Sequence, residues 1–235
     1  MMTASRLEAL EQNRRPDPAS RLPAVWRQGE HVAIIGDTGT GKTYLMSQLA
    51  RQRDFVIVFR TKLDTRREPA FEGFRHVRTA RDMDDNSSTR LVITPEYYKQ
   101  YAVGYDMLER VWKHGAWTVF IDELFYVEQQ LRLTKMLNRL WTQGRSAGIT
   151  VVAGMQRPSW VSRFALSQCT HVFSFRVENR DARVLSDAFT ARIVPLVHDD
   201  SPRAITGHDF AYYNRSTRAL GTGNADNLET ILRRG

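Results

Sequence analysis

Six short apolar runs punctuate the chain: His31–Ile35, Phe55–Phe59, Leu91–Thr94, Trp117–Ile121, Ile149–Gly154 and His171–Val177. Most of them are continuous rather than alternating, the pattern of strands buried on both faces. Between them apolar residues recur at helical spacing. Leu45, Met46, Leu49 and Ala50 form one such stripe, on a helix expected from Thr43 to about Gln52, and Met107, Leu108, Val111 and Trp112 form a second. Leu133, Met136, Leu137, Leu140 and Trp141 form a third, the clearest amphipathic pattern in the chain. Gly115 and Gly144 are placed to end the second and third helices. Buried strands alternating with amphipathic helices predict an α/β domain with a mostly parallel central sheet flanked by helices.

The sequence divides into an arm over 1–29, a principal domain over 30–220 and a tail over 221–235. In the arm, Ser5-Arg6-Leu7-Glu8 resembles a capping box, Leu7 and Leu10 share a stripe, and Pro16, Pro18 and Pro23 interrupt any longer helix. A surface helix and an arm that docks on a neighbouring subunit both fit this pattern. In the tail, Leu228, Ile231 and Leu232 follow Asn224-Ala225-Asp226 at helical spacing. They predict a short helix that packs on its own core or docks on a neighbour.

Composition narrows the partners rather than the fold. The 235 residues are 42% hydrophobic, enough for one substantial core, and the net charge of +8 favours polyanionic partners. A single cysteine, Cys169, permits no internal disulfide and reads as a small buried residue. The histidines show no metal-ligand spacing with it. No apolar run approaches the roughly 20 residues of a membrane span, and the first residues lack the apolar core of a signal peptide, so a soluble intracellular protein is expected.

The candidate chemistry starts directly after the first run. Gly36, Asp37, Thr38, Gly39, Thr40, Gly41, Lys42 and Thr43 match the phosphate-binding pattern G-x-x-x-x-G-K-[ST] between a strand and a helix. Its glycines let backbone N–H groups close around phosphate oxygens, and the following helix adds its positive end. Lys42 is placed to reach the β- and γ-phosphates of ATP, and the Thr43 hydroxyl to bind Mg²⁺. The fourth run ends in Asp122 and Glu123. At the carboxyl end of a parallel strand, Asp122 would hold the hydrated Mg²⁺ and Glu123 would polarise an attacking water. The pair alone would equally suit a helix N-cap followed by a first-turn acid. Gln156, just past the fifth run, offers a neutral amide for the γ-phosphate or the water.

Two stretches leave alternatives open. Residues 60–81 carry Arg60, Lys62, Arg66, Arg67, Arg75, Arg78 and Arg81 against Asp64, Glu68 and Glu72, and fit an ordinary solvated face or a nucleic-acid surface. Tyr97, Tyr98 and Tyr101 fit a packed aromatic cluster, the commoner case, or a base-stacking platform.

Further motifs resemble the HerA/FtsK superfamily of P-loop ATPases. They are Gly144-Arg145-Ser146-Ala147-Gly148-Ile149, Gln156-Arg157-Pro158-Ser159, Leu166-Ser167-Gln168, the stretch from Arg176 to Leu185, and Gly207 before Asp209–Tyr213. The likeness covers roughly residues 30–220. It implies a RecA-like fold of the ASCE class, with an additional strand between the phosphate-loop strand and the Asp-Glu strand, and a C-terminal β-hairpin. It also implies a ring homo-oligomer, a hexamer or pentamer, with ATP at subunit interfaces. Arg145 then stands where a finger arginine serves its own or a neighbouring site, with Arg157 and Arg183 as competitors.

A nearly bare ATPase core of this size looks like the genome-packaging ATPases of tailless, internal-membrane phages and related large DNA viruses. That likeness implies a double-stranded DNA translocase filling a preformed capsid in the host cytoplasm, with attachment to a capsid or portal-vertex protein as an option. Arg66, Arg67, Lys99, Arg132 and Lys135 are the candidate DNA contacts. The alternatives are an ATPase that moves protein in phage assembly or secretion, and a HerA-like cellular or mobile-element DNA motor. A small-molecule P-loop kinase or a GTP switch fits poorly, because no guanine-reading N-K-x-D motif is present.

Overall fold

A computed structural model describes residues 26–62, 69–84, 89–226 and 233–234. Residues 1–25 of the expected arm, Arg66 and Arg67, and the tail stripe of Leu228, Ile231 and Leu232 fall outside these residues. Seven strands run parallel: β1 (His31–Ile35), β2 (Val56–Phe59), β3 (Arg75–Val77), β4 (Arg90–Ile93), β5 (Thr118–Ile121), β6 (Thr150–Met155) and β7 (Cys169–Ser174). Three more, β8 (Asp209–Asn214), β9 (Leu220–Asn224) and the two-residue β10 (Arg233–Arg234), continue the sheet antiparallel from β7. The order across the sheet is β10-β9-β8-β7-β1-β6-β5-β2-β4-β3. β6 thus stands between the phosphate-loop strand β1 and the acidic strand β5, as the resemblance implies, and β8–β9 is the expected hairpin.

The continuous apolar runs are explained by burial on both faces. Alternate residues of a strand point to opposite faces. Ala33, Ile35, Ile57, Phe59, Val119, Ile121, Val151 and Ala153 join one core, and Val32, Ile34, Val56, Val58, Phe120 and Val152 join the other. α1 (Lys42–Arg51) covers the second core with Leu45, Met46, Leu49 and Ala50. α2 (Gln100–His114), α3 (Thr134–Gln143), α4 (Arg163–Gln168), α5 (Asn179–Ala188) and the single turn α6 (Val194–Val197) contribute to the first.

Several local expectations need correction. Gly144 caps α3 as expected, its N–H donating to the Leu140 carbonyl, but it does so in the right-handed helical region rather than the left-handed one usual for a capping glycine, and it is buried. The chain continues through a 3₁₀ turn to Gly148, whose φ of 65° makes the left-handed exit. Gly144 is small for another reason: a methyl group there would sit 3.3 Å from the Ile149 carbonyl oxygen. Cys169 is buried as expected, but it begins β7 rather than preceding it. Phe175 and Val177 lie beyond the end of that strand. Tyr97, Tyr98 and Tyr101 do not form a packed cluster: they are 68%, 76% and 55% exposed. The buried stripe of α2 is Gln100, Gly104, Met107, Leu108 and Val111, which turns the tyrosines to solvent. Within the basic stretch, Arg75–Val77 forms the edge strand β3.

Candidate phosphate-binding and hydrolytic site

The site lies where the parallel strands end. Gly36, Gly39 and Gly41 all have positive φ, at 154°, 83° and 99°, so the loop after β1 takes a path closed to most side chains. Gly36 is constrained by space as well: a methyl group there would lie 2.6 Å from Phe175 Cβ. The loop's lysine is already turned inward, with the Lys42 ammonium donating to the Asp37 carbonyl oxygen at 2.6 Å. The Thr40 hydroxyl donates to the same carbonyl at 2.8 Å. Burial lowers the Lys42 pKa, while the charge of Glu123 opposes that shift. Asp37, in the loop itself, is raised by burial, with Arg157 acting against it.

Asp122 and Glu123 follow β5, and Asp122 is 7% exposed. Its Oδ1 accepts from the Thr43 hydroxyl across 3.5 Å, which brings together the two residues expected to share Mg²⁺. An oxygen-only pair of hydroxyl and carboxylate suits a hard cation that keeps most of its water. β6 passes close behind them: a methyl group on Gly154 would fall 2.6 Å from the Asp122 backbone oxygen. Only glycine lets this strand approach so near. Burial raises the Glu123 pKa, and Lys42 and Lys62 counter it. The Gln156 backbone N–H, at the start of the loop leaving β6, acts on this carboxylate in the same lowering sense.

The loop from Gln156 to Ser162 is held by two further carboxylates. Asp181, on α5, accepts from the Ser159 N–H at 3.1 Å and from the Arg157 guanidinium at 3.3 Å, while Glu178 takes the rest of that guanidinium at 2.6 Å. Glu128 is 1% exposed and accepts from the Ser162 hydroxyl and N–H at 2.9 and 3.1 Å. It lies in a π-helical turn, Tyr126–Gln130, shortly after Glu123. Such turns often mark functional segments.

The candidate arginines separate by position. Arg157 is occupied by Glu178 and Asp181, and Arg183 is exposed on α5. Arg145 is exposed beside Gly29 and lowers the pKa of His31, the first residue of β1. It therefore sits at the amino edge of the sheet. The phosphate loop is at the carboxyl edge, about 16 Å away along the five residues of β1 and far beyond an arginine's reach. Lys99, Arg132 and Lys135 are exposed around the starts of α2 and α3, at the same edge as the phosphate loop. Lys99 pairs with Glu96 at 2.8 Å and lies over the Tyr98 ring.

Sequence reasoning passed over three participants. Lys62 was one of many basic residues, yet it follows β2 and adds positive field at both Lys42 and Glu123. Glu128 and Asp181 are acids within otherwise amphipathic segments, which is the available signal for a buried acceptor. Among the described residues no cluster of three or more His, Cys, Asp or Glu could hold a metal, and no helix is long and apolar enough to cross a membrane.

No family model matches the sequence. The chain is 26% identical over 175 residues to the DNA packaging ATPase P9 of enterobacteria phage PRD1, an alignment spanning 66% of this chain and 68% of that protein. The genome packaging NTPase B204 of Sulfolobus turreted icosahedral virus 2, solved with AMP, superposes with a TM-score of 0.67 at 15% identity. The match covers 85% of this chain and 98% of that one. B204 of Sulfolobus turreted icosahedral virus gives 0.64 at 18% identity, over 83% and 97%. The fold is thus that of viral packaging NTPases with a phosphate-binding loop.

Proposed function

We propose that this chain is an ATP-driven motor that moves double-stranded DNA into a viral capsid as a closed ring of six or five copies. One observation carries the hydrolytic part: Asp122 meets the Thr43 hydroxyl of the phosphate loop at 3.5 Å, which sets the adjacent Glu123 beside that loop, where the charge of Lys42 acts on its carboxylate. The likeness to P9 of phage PRD1, a DNA packaging ATPase, and the +8 charge support the DNA part.

ATP would lie with its β- and γ-phosphates in the cradle of residues 36–43. Lys42 exchanges the Asp37 carbonyl for phosphate oxygen. The Thr43 hydroxyl and Asp122 would hold Mg²⁺, which supplies charge neutralisation on the phosphates when bound. Glu123 accepts a proton from the attacking water, and a carboxyl raised by burial is a better acceptor than an ordinary one. The Gln156 amide registers whether the γ-phosphate is present. Because Arg145 is at the far edge of its own sheet, it acts in trans, on the site of the adjacent subunit. Lys99, Arg132 and Lys135, and with them Arg66 and Arg67, contact DNA phosphates without reading bases. Work takes place in the host cytoplasm, with the ring seated at a capsid vertex by a capsid or portal protein.

The test is the ATPase rate of wild type and Glu123→Gln with and without duplex DNA, together with the mass of the assembled species and displacement of a triplex strand. Duplex-stimulated turnover, strand displacement and a trapped Glu123→Gln ring are expected. Turnover indifferent to DNA, stimulated instead by a capsid or membrane protein, would replace the DNA reading with that of a protein-moving ATPase.

A further inference from the structure

The triphosphate site has a direction. Its hydrolytic end is marked by Glu123 and Gln156, which follow β5 and β6, both on one side of β1. A nucleotide whose γ-phosphate points there must send its nucleoside to the opposite side, over β7, β8 and β9. The hairpin reaches the phosphate loop on that side. Antiparallel β8 starts, and β9 ends, at the carboxyl edge, because Ser174 pairs with Ala211 and Asp209 with Asn224.

His208 and Asp226 stand at this corner. A methyl group on Gly41 would lie 3.5 Å from the His208 ring and from the Ala225 side chain, so both abut the last glycine of the loop. His208 Nδ1 pairs with both Asp226 oxygens at 2.8 and 3.0 Å. The side chains are 46% and 62% exposed. Among the described residues, Nε2 of the imidazole has no protein partner. The corner is nevertheless braced. The Ala225 N–H donates to the His208 carbonyl at 2.9 Å, the Asp226 N–H to Asn224 Oδ1 at 2.8 Å, and Asn224 Nδ2 to Asp209 Oδ1 at 2.7 Å. Each hydrogen bond ties one hairpin terminus to the other or tightens the turn beyond β9. An exposed imidazole–carboxylate pair, held rigid against the phosphate loop and offering one free ring nitrogen and carboxylate lone pairs, is equipped to bind ribose hydroxyls or base nitrogens.

We propose that His208 and Asp226 form the nucleoside half of the site, holding the ribose and base of the bound nucleotide beside Gly41. This inference rests on the ATP-binding reading above. The hairpin then has a ligand-binding role as well as a place in the sheet.

Calorimetric affinities for ADP and for inorganic tripolyphosphate, measured on wild type, His208→Ala and Asp226→Asn, test it. Both variants should weaken ADP about tenfold, the loss expected for one hydrogen bond to a charged group, and leave tripolyphosphate within about twofold. Unchanged ADP affinity overturns the proposal. So does an equal loss for both ligands, which would mean that His208 only props the phosphate loop. A wild type that binds ADP without hydrolysing ATP would overturn the ATPase reading while the two affinities still decide the nucleoside site. A wild type that binds neither ligand overturns both.

Discussion

The Glu128 carboxylate, in the π-helical turn after β5, accepts both the hydroxyl and the N–H of Ser162, at the end of the loop that leaves β6. The Ser162 hydroxyl in turn accepts from the Ala165 N–H and caps α4. The same segment thus anchors the far end of that loop, while at its near end the Gln156 N–H acts on the Glu123 carboxylate. Glu128→Ala leaves buried donors without an acceptor and should lower stability by about 1–3 kcal/mol in urea denaturation. It should also reduce kcat while the Kd for ATP stays within about twofold. A purely architectural role would lower stability and leave kcat per folded molecule intact.

Lys42→Ala and Glu123→Gln should separate binding from chemistry. The first abolishes ATP binding by calorimetry. The second binds ATP with near wild-type affinity but loses on the order of 10²–10⁴ in turnover, the range for removing a general base.

Arg145→Ala should retain ATP and lose on the order of 10³ in turnover. Mixed with Glu123→Gln subunits it should regain activity, since each variant supplies the group that the other lacks. Activity that merely dilutes in proportion to the mixture would assign Arg145 to the 3₁₀ turn alone.

His31 gives a pH prediction. Its Nδ1 accepts from the Val151 N–H at 3.0 Å, its Nε2 faces the Trp141 carbonyl at 3.2 Å, and burial lowers its pKa to about 4. The unfolded chain, with a pKa near 6.5, takes up the proton first. The stabilising contribution is therefore complete above pH 6.5 and declines as pH falls to about 4, by about 3 kcal/mol. His31→Gln, which cannot titrate, should flatten the urea midpoint across that window.

The legible parts were those written in local pattern. Continuous runs such as Val56–Phe59 announced strands sandwiched between two cores. The phosphate loop and the Asp122-Glu123 pair were legible because glycine spacing and strand ends are short-range features. β3 was hidden because only Val77 of its three residues is buried, and two basic side chains mask the rest. The tyrosines at 97, 98 and 101 were misassigned because periodicity reveals a stripe but not which of two stripes faces inward. Glu128 and Ser162 are 34 residues apart, and no local pattern encodes such a partnership. His208 became significant only when the order of strands set it against Gly41.

Arg145 and the phosphate loop occupy opposite edges of one sheet. A contact that brings one subunit's arginine to the next subunit's loop is head-to-tail, and no two-fold pair can satisfy both partners. An open arc of n subunits would carry n−1 joined sites, and only the last contact supplies the remaining one. Specific activity would then climb with protein concentration and level off at closure, and the final subunit added would be worth two sites to a dimer's one.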